Sequence, residues 1–144
     1  MMKNLKYIIT ILVIAVLAVS CETYDDFDQD RLPVVGFTSA VGGINATVPE
    51  DGTLDKEVNV FVSDVSSSER TFSVLINEEG TELGSENYTF GNIVIPANER
   101  GGIFVVTFSD VSITPDYQPV SFRVDNSSGV VSGSEITLQV RTNN

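Results

Sequence analysis

Glu57-Val58-Asn59-Val60-Phe61-Val62-Ser63 decides the fold of this chain. Val58, Val60 and Val62 fall on one side of an extended backbone, and Glu57, Asn59 and Ser63 fall on the other. Phe61 is the one apolar residue in the polar phase. Successive side chains of a strand point to opposite faces, so this period of two describes a strand with one face to bury and one face in water.

The same period recurs along the chain. Thr71 to Asn77 places Phe72, Val74 and Ile76 in phase, and Ile103 to Phe108 does so with Phe104, Val106 and Phe108. Pro119 to Val124 aligns Val120, Phe122 and Val124, and Glu135 to Arg141 aligns Ile136, Leu138 and Val140. Val34 to Thr38, Ile44 to Val48 and Tyr88 to Ile95 are shorter β candidates, the last of them interrupted near Gly91-Asn92. Turn chemistry separates the runs: Pro49-Glu50-Asp51-Gly52 and Pro96 to Gly102 supply the residues that favour tight reversals. Asp64 to Arg70 reads as a polar connection, and Glu78 to Glu86 as a long acidic loop. No three-turn amphipathic helix follows residue 21. Seven or eight short strands with a turn signal every ten residues or so predict an all-β fold, a single immunoglobulin-like β-sandwich of antiparallel strands over residues 33–144.

The first 32 residues have a different composition. Lys3 and Lys6 precede Tyr7 to Val19, an apolar run of thirteen residues that ends at Ser20-Cys21. A basic start, a short apolar middle and a small residue before the break are the parts of a secretory signal. A permanent span would need about 20 apolar residues. Cys21 is the only cysteine, so no disulfide can form within the chain. Leu17-Ala18-Val19-Ser20-Cys21 resembles a bacterial lipoprotein signal of the Bacteroidota type, with Ser20 in its preferred place and Leu17 one position early. The resemblance implies a signal peptide at 1–20, lipidation with palmitate-class chains at Cys21, and attachment to a bacterial outer membrane. A cleaved signal with a chance cysteine, or an uncleaved anchor, is the alternative. Cys21 to Asp30 then carries five acids in ten residues, a composition that stays solvated as a tether over 21–32. Acids directly after such a cysteine also resemble a surface-export signal, which implies display at the cell surface.

Charge and residue types exclude several function classes. Without residues 1–20 the basic residues number 8 − 2 = 6 against 20 acids, a net charge of −14. Nucleic-acid binding depends on neutralising phosphates with Lys and Arg, so no nucleic-acid partner is expected. The chain has no His and no Trp. It therefore lacks the commonest general base and the best sugar-stacking side chain. No enzyme activity and no organic cofactor are expected.

From Val48 onward the chain resembles a Calx-beta domain, an immunoglobulin-like sandwich. Val48-Pro49-Glu50-Asp51-Gly52 stands where that family has an acidic turn. Gly84-Ser85-Glu86-Asn87-Tyr88 stands at its Gly-x-Asp-Tyr, with Asn for Asp. Ile93 to Glu99 and Ile103 to Asp110 follow its apolar strand, Pro-x-Gly-Glu turn and closing strand, with Asn98 for Gly. Some members bind calcium at one end of the sandwich. Carried over by position, Glu50, Asn87 and Asp110, with Asp116 as a neighbour, are the candidate ligands for Ca²⁺. The sequence predicts a non-catalytic, lipid-anchored envelope module with an unidentified protein or glycan partner. A glycan-binding accessory lipoprotein of a polysaccharide-uptake system and a calcium-binding module are the alternatives.

Overall fold

The computed structural model describes residues 31–143; the expected signal over 1–20, Cys21 and the acids at 22–30 lie outside them. The described chain is an all-β sandwich without an α-helix, formed by β1 (Val34–Ala40), β2 (Asn45–Val48), β3 (Thr53–Val62), β4 (Arg70–Phe72), β5 (Val74–Ile76), β6 (Tyr88–Phe90), β7 (Ile93–Ile95), β8 (Gly101–Ser109), β9 (Gln118–Val124), β10 (Val131–Ser132) and β11 (Ile136–Thr142). The larger sheet runs β10-β1-β3-β8-β7-β4, with β6 also paired to β8. The smaller runs β2-β11-β9-β5.

β3 and β8 form the spine of the larger sheet, in antiparallel register from Thr53 opposite Ser109 to Phe61 opposite Gly101. Val58, Val60 and Val62 are buried, as their phase predicts, and so are Phe104, Val106 and Phe108 across from them. From the smaller sheet Val120, Phe122, Val124, Leu138 and Val140 point back into the same core. Aromatic rings lock the two layers together. Phe104 on β8 and Phe122 on β9 have centroids 5.3 Å apart at 66°, and Phe90 lies 5.9 Å from the first and 5.3 Å from the second. Such edge-to-face pairs add about 0.5–1.5 kcal/mol each beyond the area they bury.

The strand count and the pairing differ from the expected seven or eight antiparallel strands. There are eleven, because single runs are divided between partners. Thr71 to Asn77 is one alternating run in sequence. In space Phe72 pairs with Ile93 in the larger sheet while Val74 pairs with Val124 in the smaller one. The chain changes sheets at Ser73, and Phe72 and Val74, of the same parity, are buried on either side of the change. Tyr88 to Ile95 likewise divides at Gly91-Asn92 into β6 and β7, both bonded to β8. β10, a strand of two residues, is too short to show a period in the sequence. Two pairings are parallel rather than antiparallel, β1 with β10 and β2 with β11, so each sheet carries one such pair at an edge.

Two turns hold non-glycine residues in the left-handed region, Asp51 at φ 53° and Asn98 at φ 64°. Asn and Asp tolerate that region best among side chains with a Cβ. Asn98 therefore takes a turn position that a glycine would also fit.

Candidate functional site

The candidate residues Glu50, Asn87 and Asp110 lie in three connections, and hydrogen bonds bring those connections together at one end of the sandwich. The backbone N–H of Asp110 donates to the Gly52 carbonyl at 2.9 Å. Its Oδ2 accepts from the Asp51 N–H at 3.2 Å and from the Thr142 hydroxyl at 3.0 Å. One carboxylate thus ties the 49–52 turn to the end of β11. Gly52 is required for the tight turn, because a Cβ there would come 2.9 Å from the Cβ of Pro49.

Asn87 is buried at the end of a short 3₁₀ turn, Ser85–Asn87, just before β6. Its Oδ1 accepts from the N–H groups of Ser112 at 2.8 Å and Val111 at 3.2 Å. Its Nδ2 donates to the Ser112 Oγ at 3.0 Å, to the Gly84 carbonyl at 3.2 Å and, more distantly, to Glu86 Oε1 at 3.4 Å. Both ends of the amide are consumed in closing the connection after β8 over the entry to β6. Ser112 completes the corner by donating its hydroxyl to Glu86 Oε1 at 2.7 Å. Hydrogen bonds from its own backbone N–H and then from Ser112 hold the Glu86 carboxyl below its ordinary pKa of 4.5. Burial, and then the Glu86 charge, raises the neighbouring Tyr88 phenol above 10.0.

This donor set does not fit a calcium ion, which takes six to eight oxygens, several of them anionic. The Asn87 oxygen already holds two N–H groups and one Asp110 oxygen holds two donors. Glu50 and Asp116 are exposed. Among the described residues no three His, Cys, Asp or Glu side chains come together as a metal-holding group. The arrangement is a hydrogen-bonded corner that fixes three connections to each other. Cys21, the remaining candidate, lies outside the described residues.

The sequence pattern also hides a buried cation. Lys56 lies on the core side of β3, in phase with Val58, Val60 and Val62. Its Nζ donates to the carbonyls of Val41 at 2.8 Å and Asn45 at 3.1 Å. It thereby closes the loop in which Gly42 and Gly43 adopt φ 72° and 86°. Burial lowers its pKa from the ordinary 10.5. The parity of β3 extended by one residue would have found it. Tyr117 is exposed, and the Arg141 guanidinium sits 4.8 Å from its ring centroid, a cation–π contact that covers one face of the ring.

No protein-family model matches the chain, and no curated protein matches its sequence. Among solved structures it is similar to a two-domain protein of unknown function from Bacteroides fragilis NCTC 9343, with a TM-score of 0.58 and 13% identity. The match covers 78% of this chain and 46% of the other, so the chain spans about half the length of that relative. A weaker likeness, to the N-terminal domain of PorA, has a TM-score of 0.38 at 14% identity and covers 76% of this chain and 87% of that one. The first likeness supports the sandwich fold.

Proposed function

We propose that this chain is a non-catalytic binding or structural module, lipid-anchored through Cys21 to a bacterial outer membrane and displayed at the cell surface. The observation that carries the module reading is where the polar groups go. Asn87, Asp110 and Lys56 direct their donors and acceptors to the protein's own backbone and neighbouring side chains, fixing loops. A side chain so engaged holds a scaffold rigid and is not free to act on a substrate. The anchoring rests on the lone cysteine that follows a basic start and a thirteen-residue apolar run. Several acyl chains on one residue, at about 0.8 kcal/mol per buried methylene, would hold the protein to the bilayer. Surface display rests on the five acids of residues 21–30.

Two measurements on intact cells test this. Cells grown with an alkyne fatty acid should label the wild-type protein and not Cys21→Ala. Added proteinase should remove the protein without disruption of the outer membrane. Equal labelling of both forms refutes the anchor, and protection until the membrane is broken places the protein in the periplasm instead.

A further inference from the structure

The outer face of the larger sheet is a second surface, remote from the hydrogen-bonded corner in its chemistry. On β3 the outward residues are Asp55, Glu57, Asn59 and Phe61, and on β8 they are Thr107, Val105, Ile103 and Gly101, in cross-strand register. Val94 on β7 lies beside Ile103. Phe61, Val94, Ile103 and Val105 are each 40–44% exposed, so four apolar side chains adjoin on a face that alternation would leave polar. Single exposed apolar residues are ordinary, whereas adjoining ones mark an interaction surface.

The face is also shaped. An open groove of about 740 Å³ runs over Gly101 between Asn59, Val94, Pro96, Glu99 and Ile103. Its floor is bare backbone, because a Cβ on Gly101 would meet nothing closer than the Val60 carbonyl at 3.7 Å. The groove exists because that one outward position has no side chain. Beside it, Phe61 lies across from Gly101 on one side and from Gly36 of β1 on the other. Phe61 therefore has no cross-strand side chain opposite it to pack on.

Charge decides the occupant. Exposed Asp55, Glu57 and Glu99 border the apolar residues, with exposed Arg100 next to Glu99 in sequence, a local balance of 1 − 3 = −2. Arg70 is already paired with Asp64 at 2.6 Å. A second copy would bring −14 against −14 for residues 21–144 and is disfavoured. The hydroxyls of a glycan would find no partner on Phe61, Val94, Ile103 or Val105, and Asn59 Nδ2 already donates to Ser39 Oγ at 3.1 Å. We infer that this face docks a protein segment whose apolar side chains enter the groove over Gly101 and whose flanking lysines or arginines meet Asp55, Glu57 and Glu99. The inference rests on the binding-module reading and on none of the claims about anchoring.

The test uses the full chain purified in detergent and a fluorescent synthetic peptide with one phenylalanine and two leucines between two pairs of lysines. A twin peptide carries glutamates in place of the lysines. The lysine peptide should bind at least tenfold more tightly at low salt, and the preference should shrink in 1 M salt, where the screening length falls to about 3 Å. Gly101→Val fills the groove floor in a strand that accepts a β-branched residue, and Ile103→Thr removes apolar contact. Each should weaken the lysine peptide by tenfold or more with the circular dichroism spectrum unchanged. Glu57→Gln with Glu99→Gln should reduce the lysine preference. Equal binding of the two peptides, or binding unaffected by both Gly101→Val and Ile103→Thr, overturns the proposal. So does self-association in sedimentation that both of those variants abolish, or a neutral oligosaccharide that competes at this face. These outcomes are read on purified protein, so they stand apart from the labelling and proteinase results.

Discussion

Asn87→Ala removes the side chain that closes one end of the sandwich. Four of its hydrogen bonds lie between 2.8 and 3.2 Å. At about 1 kcal/mol net for each, their gross contribution is about 4 kcal/mol. Two features reduce this. The Val111 N–H keeps a second acceptor, the Ser109 carbonyl at 2.9 Å. Ser112 is exposed, so water can reach its freed N–H. About 2–3 kcal/mol of destabilisation remains, which corresponds to a fall in Tm of roughly 8–15 °C for a domain of about 110 residues. Asn87→Asp sharpens the test. Its Oδ1 can keep both N–H donors, but its second oxygen would face the Gly84 carbonyl and Glu86 Oε1, where the amide nitrogen now donates. Asp should therefore also destabilise at pH 7 and recover part of the loss on acidification, as that carboxyl takes up a proton. Thermal melts followed by circular dichroism supply the numbers. An Asn87→Ala melt within 2 °C of wild type would refute the reasoning, as would an Asp variant as stable as wild type at pH 7.

Val60→Asp should prevent folding, since Val60 is 3% exposed in the core and an aspartate there would be a buried charge without a partner; loss of the β-type circular dichroism spectrum is the readout. Glu86 and Asp125 should make stability fall on acidification. Glu86 is lowered from 4.5 and Asp125 from 3.8, the latter chiefly by the side-chain and backbone hydrogen bonds of Ser127. A carboxylate lowered by folding stabilises the fold above its unfolded value and loses that contribution as pH drops through the folded one. Melts should therefore be insensitive to these two groups above about pH 5 and decline below about pH 4.5, with Ser127→Ala raising the Asp125 midpoint in an NMR titration. Calcium at 1 mM should add less than about 0.4 kcal/mol, the linkage when ligand is no more than its dissociation constant. A rise of several degrees over EDTA, abolished by Asp110→Asn, would instead assign a calcium site to this corner.

Strand parity in the sequence sets the two-layer β architecture and the strand-borne part of the core, whereas Leu83, Ile113 and Val130, buried in connections, carry no such mark. The reason is local: burial on a sheet follows parity, and parity is written residue by residue from Val58 to Val62 and again from Phe104 to Phe108. Parity cannot say which strand lies alongside. Phe72 and Val74 keep one phase while their hydrogen bonds go to different sheets, so the change at Ser73 leaves no mark in the hydrophobic pattern. The parallel pairs β1–β10 and β2–β11 join residues about a hundred positions apart, a distance over which no short-range signal acts. The corner shows the same division. Resemblance alone implied that Glu50, Asn87 and Asp110 share one end, and hydrogen bonds tie together the three connections that carry them. Whether their oxygens face an ion or backbone N–H groups depends on where Val111, Ser112, Asp51 and Thr142 stand. The groove over Gly101 is likewise a product of register: a glycine is a blank in the sequence, and it becomes a floor only when Phe61, Ile103 and Val94 are set around it by neighbouring strands.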